Sequence, residues 1–215
     1  MTQHALSFGA HYDPDRLAFG PMVCHDDHVL RSGAGFEAHR HSDLDIVSWV
    51  VSGTLLHTDS TGATHRVEAG SVAHLSAGSG VEHSEVAGEA LTRFVQVWLA
   101  GLPAADDTEG ADADVPTYAV RAVPAEELDA PGPTTLLSLP GATLTVSRPG
   151  AGEDVELPAG PLVHAYLTRG ALVRSSLAEP VAAGDAFALT DEPAHVVTAA
   201  VPSELLVWRF DAPVR

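Results

Sequence analysis

The chain has 215 residues, of which 29 are acidic and 11 basic, giving a formal net charge of −18. Its 45% hydrophobic and 19% charged content belongs to a folded globular protein and excludes a disordered one. Every basic residue is Arg, and so acidic a surface repels phosphate backbones and anionic lipid, which argues against nucleic acid and membrane as direct partners.

The N-terminal MTQHALSFGAHYDPD has neither a basic start nor an apolar run, so no signal peptide is expected. No later stretch approaches a membrane-spanning length, and the cytoplasm is the expected compartment. The one cysteine, Cys24, cannot form an intramolecular disulfide, which fits a reducing environment. In MVCHDDHVL it is too isolated to read as a nucleophile, and His25 with His28 makes only a weak pair.

From there the hydrophobic alternation is short-range and Gly or Pro interrupts it repeatedly, the pattern of many short antiparallel strands. DIVSWVVSGTLLHTD reads as two strands meeting at Gly53, and THRVEAGSVAHLSAG as two more at Gly70. An acidic stretch without periodicity, Ala100 to Tyr118, reads as an exposed connection. The one predicted helix is short, near Pro124 to Ala130, with Pro in its first turn and acids behind it.

The second half echoes the first: HAYLTRGALV and AAGDAFALTDEPAHVV follow SWVVSGTLL and EAGSVAHLSAGSGVEH. Two copies of one β-unit are implied. The expected organisation is a metal-binding unit at 1–100, a connecting loop at 101–118 and a metal-free unit at 119–215.

The chemistry concentrates in two short runs, HRH (His39, His41) and HSE (His83, Glu85). Residues two apart on a strand share a face, so each run aims two donors at one point. Three imidazoles and a carboxylate suit a divalent first-row metal and leave positions open for water, substrate or dioxygen. Gly33, Gly53, Gly70 and the turn SAGSG bracket these runs where strands of a small barrel must reverse. The second half has no HxH at the corresponding place, so His164 and His195 read as core or surface residues, as do His57, His65 and His74, with a place at the pocket mouth as the other reading of His57. No phosphate-cradling Gly loop, GxGxxG after a strand or GxSxG elbow is present.

The run from Gly33 to Glu85, with FVQVW at Phe94 to Trp98, resembles the metal-binding cupin of the pirin family. The second half is similar only as a diverged cupin. The sequence departs from the family pattern at Arg40, where Pro is usual, at Asp45, where Glu is usual, and at Ser52, where SG replaces EG. Arg40 should point away from the metal. Asp45 shares strand parity with His41, which fits either a partner for that ligand or a plain salt bridge.

The resemblance implies an all-β bicupin: two antiparallel jelly-roll barrels packed together, with few short helices, in an expected monomer. It implies His39, His41, His83 and Glu85 as ligands of one divalent ion, iron first, with zinc, nickel, manganese and copper left open. It further implies a quercetin 2,3-dioxygenase-type oxygenase acting on a small, chelating, flavonol-like aromatic, with Glu85 as the catalytic group that accepts the hydroxyl proton. The alternative reading is a non-catalytic regulator whose metal tunes binding to a protein partner. Behind both stands another metal-dependent reaction on a small acid or ketone.

Overall fold

The computed structural model describes residues 1–6, 13–88, 90–103, 115–175 and 177–211. The chain divides into two compact units, Met1–Val123 and Pro124–Arg215. Among the described residues no helix is long and apolar enough to cross a membrane.

The first unit runs β1 (Thr2–His4), β2 (Met22–Arg31), β3 (Gly35–His41), β4 (Asp45–Ser52), β5 (Thr54–Asp59), β6 (Thr64–Glu68), β7 (Ser71–Ser76), β8 (Val81–Ala87), β9 (Leu91–Leu99) and β10 (Thr117–Ala122). These form two antiparallel sheets, in the orders β1-β2-β9-β4-β7-β10 and β3-β8-β5-β6. Val50, Ala73 and Phe94 of the larger sheet pack on Leu55 and Val67 of the smaller, with Phe36 and Leu30 against them. Each fully buried side chain of this kind contributes about 1.5–3 kcal/mol over an exposed one. β-branched and aromatic residues dominate β4 and β9, which suits the pleated, well-covered surface they form.

Strands β4 and β5 meet at Gly53 as expected, yet they belong to different sheets, as do β6 and β7. These turns are corners between sheets rather than hairpins. Gly53 has φ +75°, and a Cβ there would stand 2.6 Å from the Leu91 carbonyl oxygen and 2.8 Å from Thr92 Cα. Both the backbone conformation and the space demand glycine.

Residues 119–122, expected in the second half, lie in β10, where Val120 pairs with Ala73 of β7. The division accordingly falls after Val123. Local alternation marks a strand but not its distant neighbour, so this boundary is invisible in sequence. Residues 104–114 of the acidic connection lie outside the described residues.

The second unit opens with α1 (Ala125–Leu128), where Pro124 takes the N-cap position and Glu126 and Glu127 occupy the first turn. Its strands are β11 (Thr134–Leu139), β12 (Ala142–Ser147), β13 (Asp154–Leu157), β14 (Gly160–Arg169), β15 (Ala171–Leu172), β16 (Val181–Ala182), β17 (Ala186–Glu192), β18 (His195–Thr198) and β19 (Glu204–Phe210). The main sheet is ordered β11-β12-β19-β14-β17, with β13-β18 and β15-β16 as two-stranded partners. Leu157, Val197 and Leu172 of the small sheets meet Val163, Leu205 and Val207 of the main one in a single core. A cavity of about 730 Å³ in this unit is lined by Thr143, Thr145, Val155, Val207 and Arg209, among others. Both units are therefore antiparallel, nearly all-β and built from opposed sheets, the architecture anticipated for a bicupin.

Candidate metal centre

Strand β8 lies between β3 and β5, and its residues alternate strictly, with Val81, His83, Glu85 and Ala87 buried. The register sets His83 beside His39 on one flank and Asp59 on the other, while Glu85 sits between Phe36 and His57. A bulge in β3 between Phe36 and His39 adds one residue, so both of these face inward despite their odd spacing.

His39, His41 and His83 offer ring nitrogens that all lie within 4.8 Å of one another. Their ring centroids are 4.6–5.1 Å apart. His39 Nδ1 lies 2.7 Å from the Glu37 carbonyl oxygen, which can only accept, so Nδ1 carries the proton and Nε2 keeps its lone pair. The Nε2 atoms of His41 and His83 are buried and have no hydrogen-bond partner. A buried imidazole nitrogen without a partner is costly unless something else satisfies it, and a divalent cation does so. The donor set fits such an ion.

Glu85, 3% exposed, is not in the same mutual group; it clusters with His83 and His57 instead. Its Oε2 accepts from Gln96 Nε2 at 2.7 Å, and Gln96 also donates to Ser48 Oγ at 3.1 Å while its own Oε1 accepts from Trp98 Nε1 at 3.0 Å. These contacts fix the amide orientation. The three imidazoles and the carboxylate predicted as one set are thus a tight trio plus an anchored acid adjoining His83.

Burial, with the neighbouring His39, His57 and His41, pushes His83 down to about 3 in the metal-free protein. Burial and then His39 lower His41 as well. Both rings are neutral near pH 7, as a metal requires. Burial raises Glu85 to about 7, against the hydrogen bond from Gln96, which lowers it.

The aromatic Trp98 stands edge-on to His41 with centroids 4.7 Å apart, and Phe36 lies 6.4 Å from His39. The trio is more open at His39, which is half-buried, than at His83, which is 2% exposed.

Other predicted residues fall elsewhere. Arg40 points away from the trio, with its guanidinium against Gly80. Asp45 is hydrogen-bonded to His74 at 2.7 Å, so of its two readings the pairing with a non-ligand is the one realised. Cys24 is buried, and burial together with Asp26 pushes its thiol well above the usual range, away from nucleophilic use. His28 packs between Phe36 and Phe94, and burial lowers it to about 4. His164 is buried in β14, and His195 lies 3.2 Å from Glu192.

One residue at the site escaped the sequence reading and a second was given no part in the metal centre. Gln96 is a buried amide in the apolar run FVQVW, and that mismatch was its only signal. His57, read as core or surface or as lining the pocket mouth, is fully buried, with Nδ1 3.4 Å from His83 Nδ1 and Nε2 3.3 Å from Asp59 Oδ2. Tyr118 stacks on it at 3.7 Å.

Comparison with known proteins shows the family. The family model described as Pirin matches residues 1–99. A Mycobacterium tuberculosis protein named "Putative quercetin 2,3-dioxygenase Rv0181c" is 35% identical over 217 residues, covering 98% of this chain and 88% of the relative. Escherichia coli quercetin 2,3-dioxygenase is 37% identical over 98 residues, 45% of this chain and 42% of that protein. The crystal structure of the E. coli pirin YhhW in complex with nickel(II) superimposes with a TM-score of 0.82 at 25% identity, covering 99% of this chain and 92% of that one. Sequence, fold and the clustered imidazoles agree: the chain belongs to the pirin family.

Proposed function

We propose that the protein is a mononuclear metal-dependent oxygenase of the quercetin 2,3-dioxygenase type, with His39, His41, His83 and Glu85 holding the ion and iron as the native metal. The observation that carries this reading is the pair of buried, partnerless Nε2 atoms of His41 and His83, two rings that cluster with His39. When bound, the ion supplies a Lewis-acidic, redox-capable centre with open positions for a chelating substrate.

The chain's own residues then have distinct tasks. Trp98 and Phe36 give a flat aromatic ligand apolar walls beside His41 and His39. Gln96 pins Oε2 of Glu85, leaving Oε1 to take the proton of the substrate's hydroxyl. Ring opening of the flavonol consumes one dioxygen and releases one carbon monoxide. The names borne by the M. tuberculosis and E. coli relatives support this substrate class.

The test is aerobic incubation of iron-loaded protein with quercetin beside His41→Ala, following flavonol absorbance and carbon monoxide. Cleavage that needs metal and is lost in the variant is the expected result. Metal binding without cleavage by the wild type would overturn the oxygenase reading and leave the metal-dependent regulator.

A further inference from the structure

We propose that His57 and Asp59 are positioning residues for the metal centre: a directed hydrogen-bond chain that fixes the tautomer and ring orientation of His83. This rests on the metal reading above.

The geometry is set by β5 and β8. His57 lies opposite Glu85 and Asp59 opposite His83, so both β5 residues enter the interior on the flank that β3 does not occupy. His83 Nδ1 is 3.4 Å from His57 Nδ1, and His57 Nε2 is 3.3 Å from Asp59 Oδ2. Asp59 is held in turn by the Thr61 hydroxyl and amide on Oδ1, at 2.5 and 2.9 Å.

With His57 as a neutral ring, only one assignment of protons satisfies the whole chain. The carboxylate of Asp59 accepts, so His57 carries its proton on Nε2 and presents a lone pair at Nδ1. His83 must then donate from Nδ1, which leaves its Nε2 bare, the buried nitrogen that has no hydrogen-bond partner. That is the form a metal ligand needs, and hydrogen bonding of the far ring nitrogen is how ligating imidazoles are usually oriented. The stack of Tyr118 on His57, 11° from parallel, holds the intermediary ring in plane.

His57 could instead be an alternative ligand, since it also groups with His83 and Glu85. Its Nδ1 lies against His83 Nδ1, whereas the buried nitrogen of His83 without a hydrogen-bond partner is Nε2, so His57 serves the ligand and not the ion.

The direct test is long-range ¹⁵N–¹H NMR of the imidazoles, in metal-free and zinc-loaded protein. The expected result is His83 as the Nδ1–H tautomer and His57 as the Nε2–H tautomer in both; His57 protonated at Nδ1 would overturn the proposal. Nickel(II) affinity by chelator competition is the second readout. His57→Phe keeps the ring and its stack but has no acceptor, and should lose affinity on the order of 10–100-fold. His57→Asn, which can place an amide oxygen near the Nδ1 position, should recover most of it. If His57→Phe does not fold, His57→Met replaces it in the comparison. Unchanged affinity in the acceptor-free variant refutes the positioning role, whereas a wild type that binds no nickel refutes the metal reading itself.

Discussion

Replacing Glu85 by Gln should stabilise the metal-stripped protein, and only above acidic pH. The carboxyl is buried, and its value in the folded chain is raised from the ordinary 4.5 to about 7. For an acid raised on folding, the protonated form favours the native state. The contribution is fully present below pH 4.5 and is lost as pH climbs through about 7. The gap corresponds to about 3 kcal/mol once both states are ionised, and to about 1 kcal/mol at pH 5. Glutamine stays neutral throughout and keeps an oxygen for Gln96, so the variant escapes that cost. Urea denaturation of metal-free protein, followed by the fluorescence of Trp49 and Trp98 in the first unit, measures the difference. Glu85→Gln should exceed the wild type by roughly 2 kcal/mol more at pH 8 than at pH 5. An equal difference at the two pH values, or a wild type that is the more stable at pH 8, would refute the reasoning. With metal present the order should reverse, because the variant loses an anionic donor.

Further outcomes follow from other contacts. Tyr118→Phe should be neutral or stabilising by up to about 1 kcal/mol in thermal melts, because the hydroxyl it removes is buried without a partner. Gly53→Ala should destabilise by at least about 2 kcal/mol, since it combines φ +75° with a contact at 2.6 Å to backbone. Gln96→Leu should lower quercetin turnover and raise the basic group's pKa in the pH–rate profile, because it removes the donor to Glu85 Oε2.

What could be read from the sequence was whatever depends on parity within one strand. His39 with His41, and His83 with Glu85, share faces because they are two apart; that the two pairs converge came from the resemblance to the pirin family. Relations between strands were closed to that reading. His57 reaches His83 only because β5 pairs with β8, and Gln96 reaches Glu85 only because β9 faces the smaller sheet. Neither neighbour relation leaves a local trace. The bulge before His39 likewise breaks parity with Phe36, so Phe36 could not be placed at the site from alternation. The separation of Glu85 from the trio has a similar origin: parity put it on the correct face, but the amide that draws its oxygen aside lies on another sheet.

Strand β3 contributes two of the three clustered imidazoles, yet among the described residues it is the outermost strand of its sheet and pairs with β8 alone. Most of its residues are exposed, and the bulge interrupts the one ladder that holds it. An ion bound by His39, His41 and His83 would rivet this border strand to its neighbour, closing a seam that backbone pairing leaves weak. Loading should therefore be felt as slower amide exchange along 35–41 well before it is felt as any change in the rest of the sheet. In cells short of metal, the same border would be the first place for another chain's strand to attach, with Arg40 and Glu37 as the charges that discourage it.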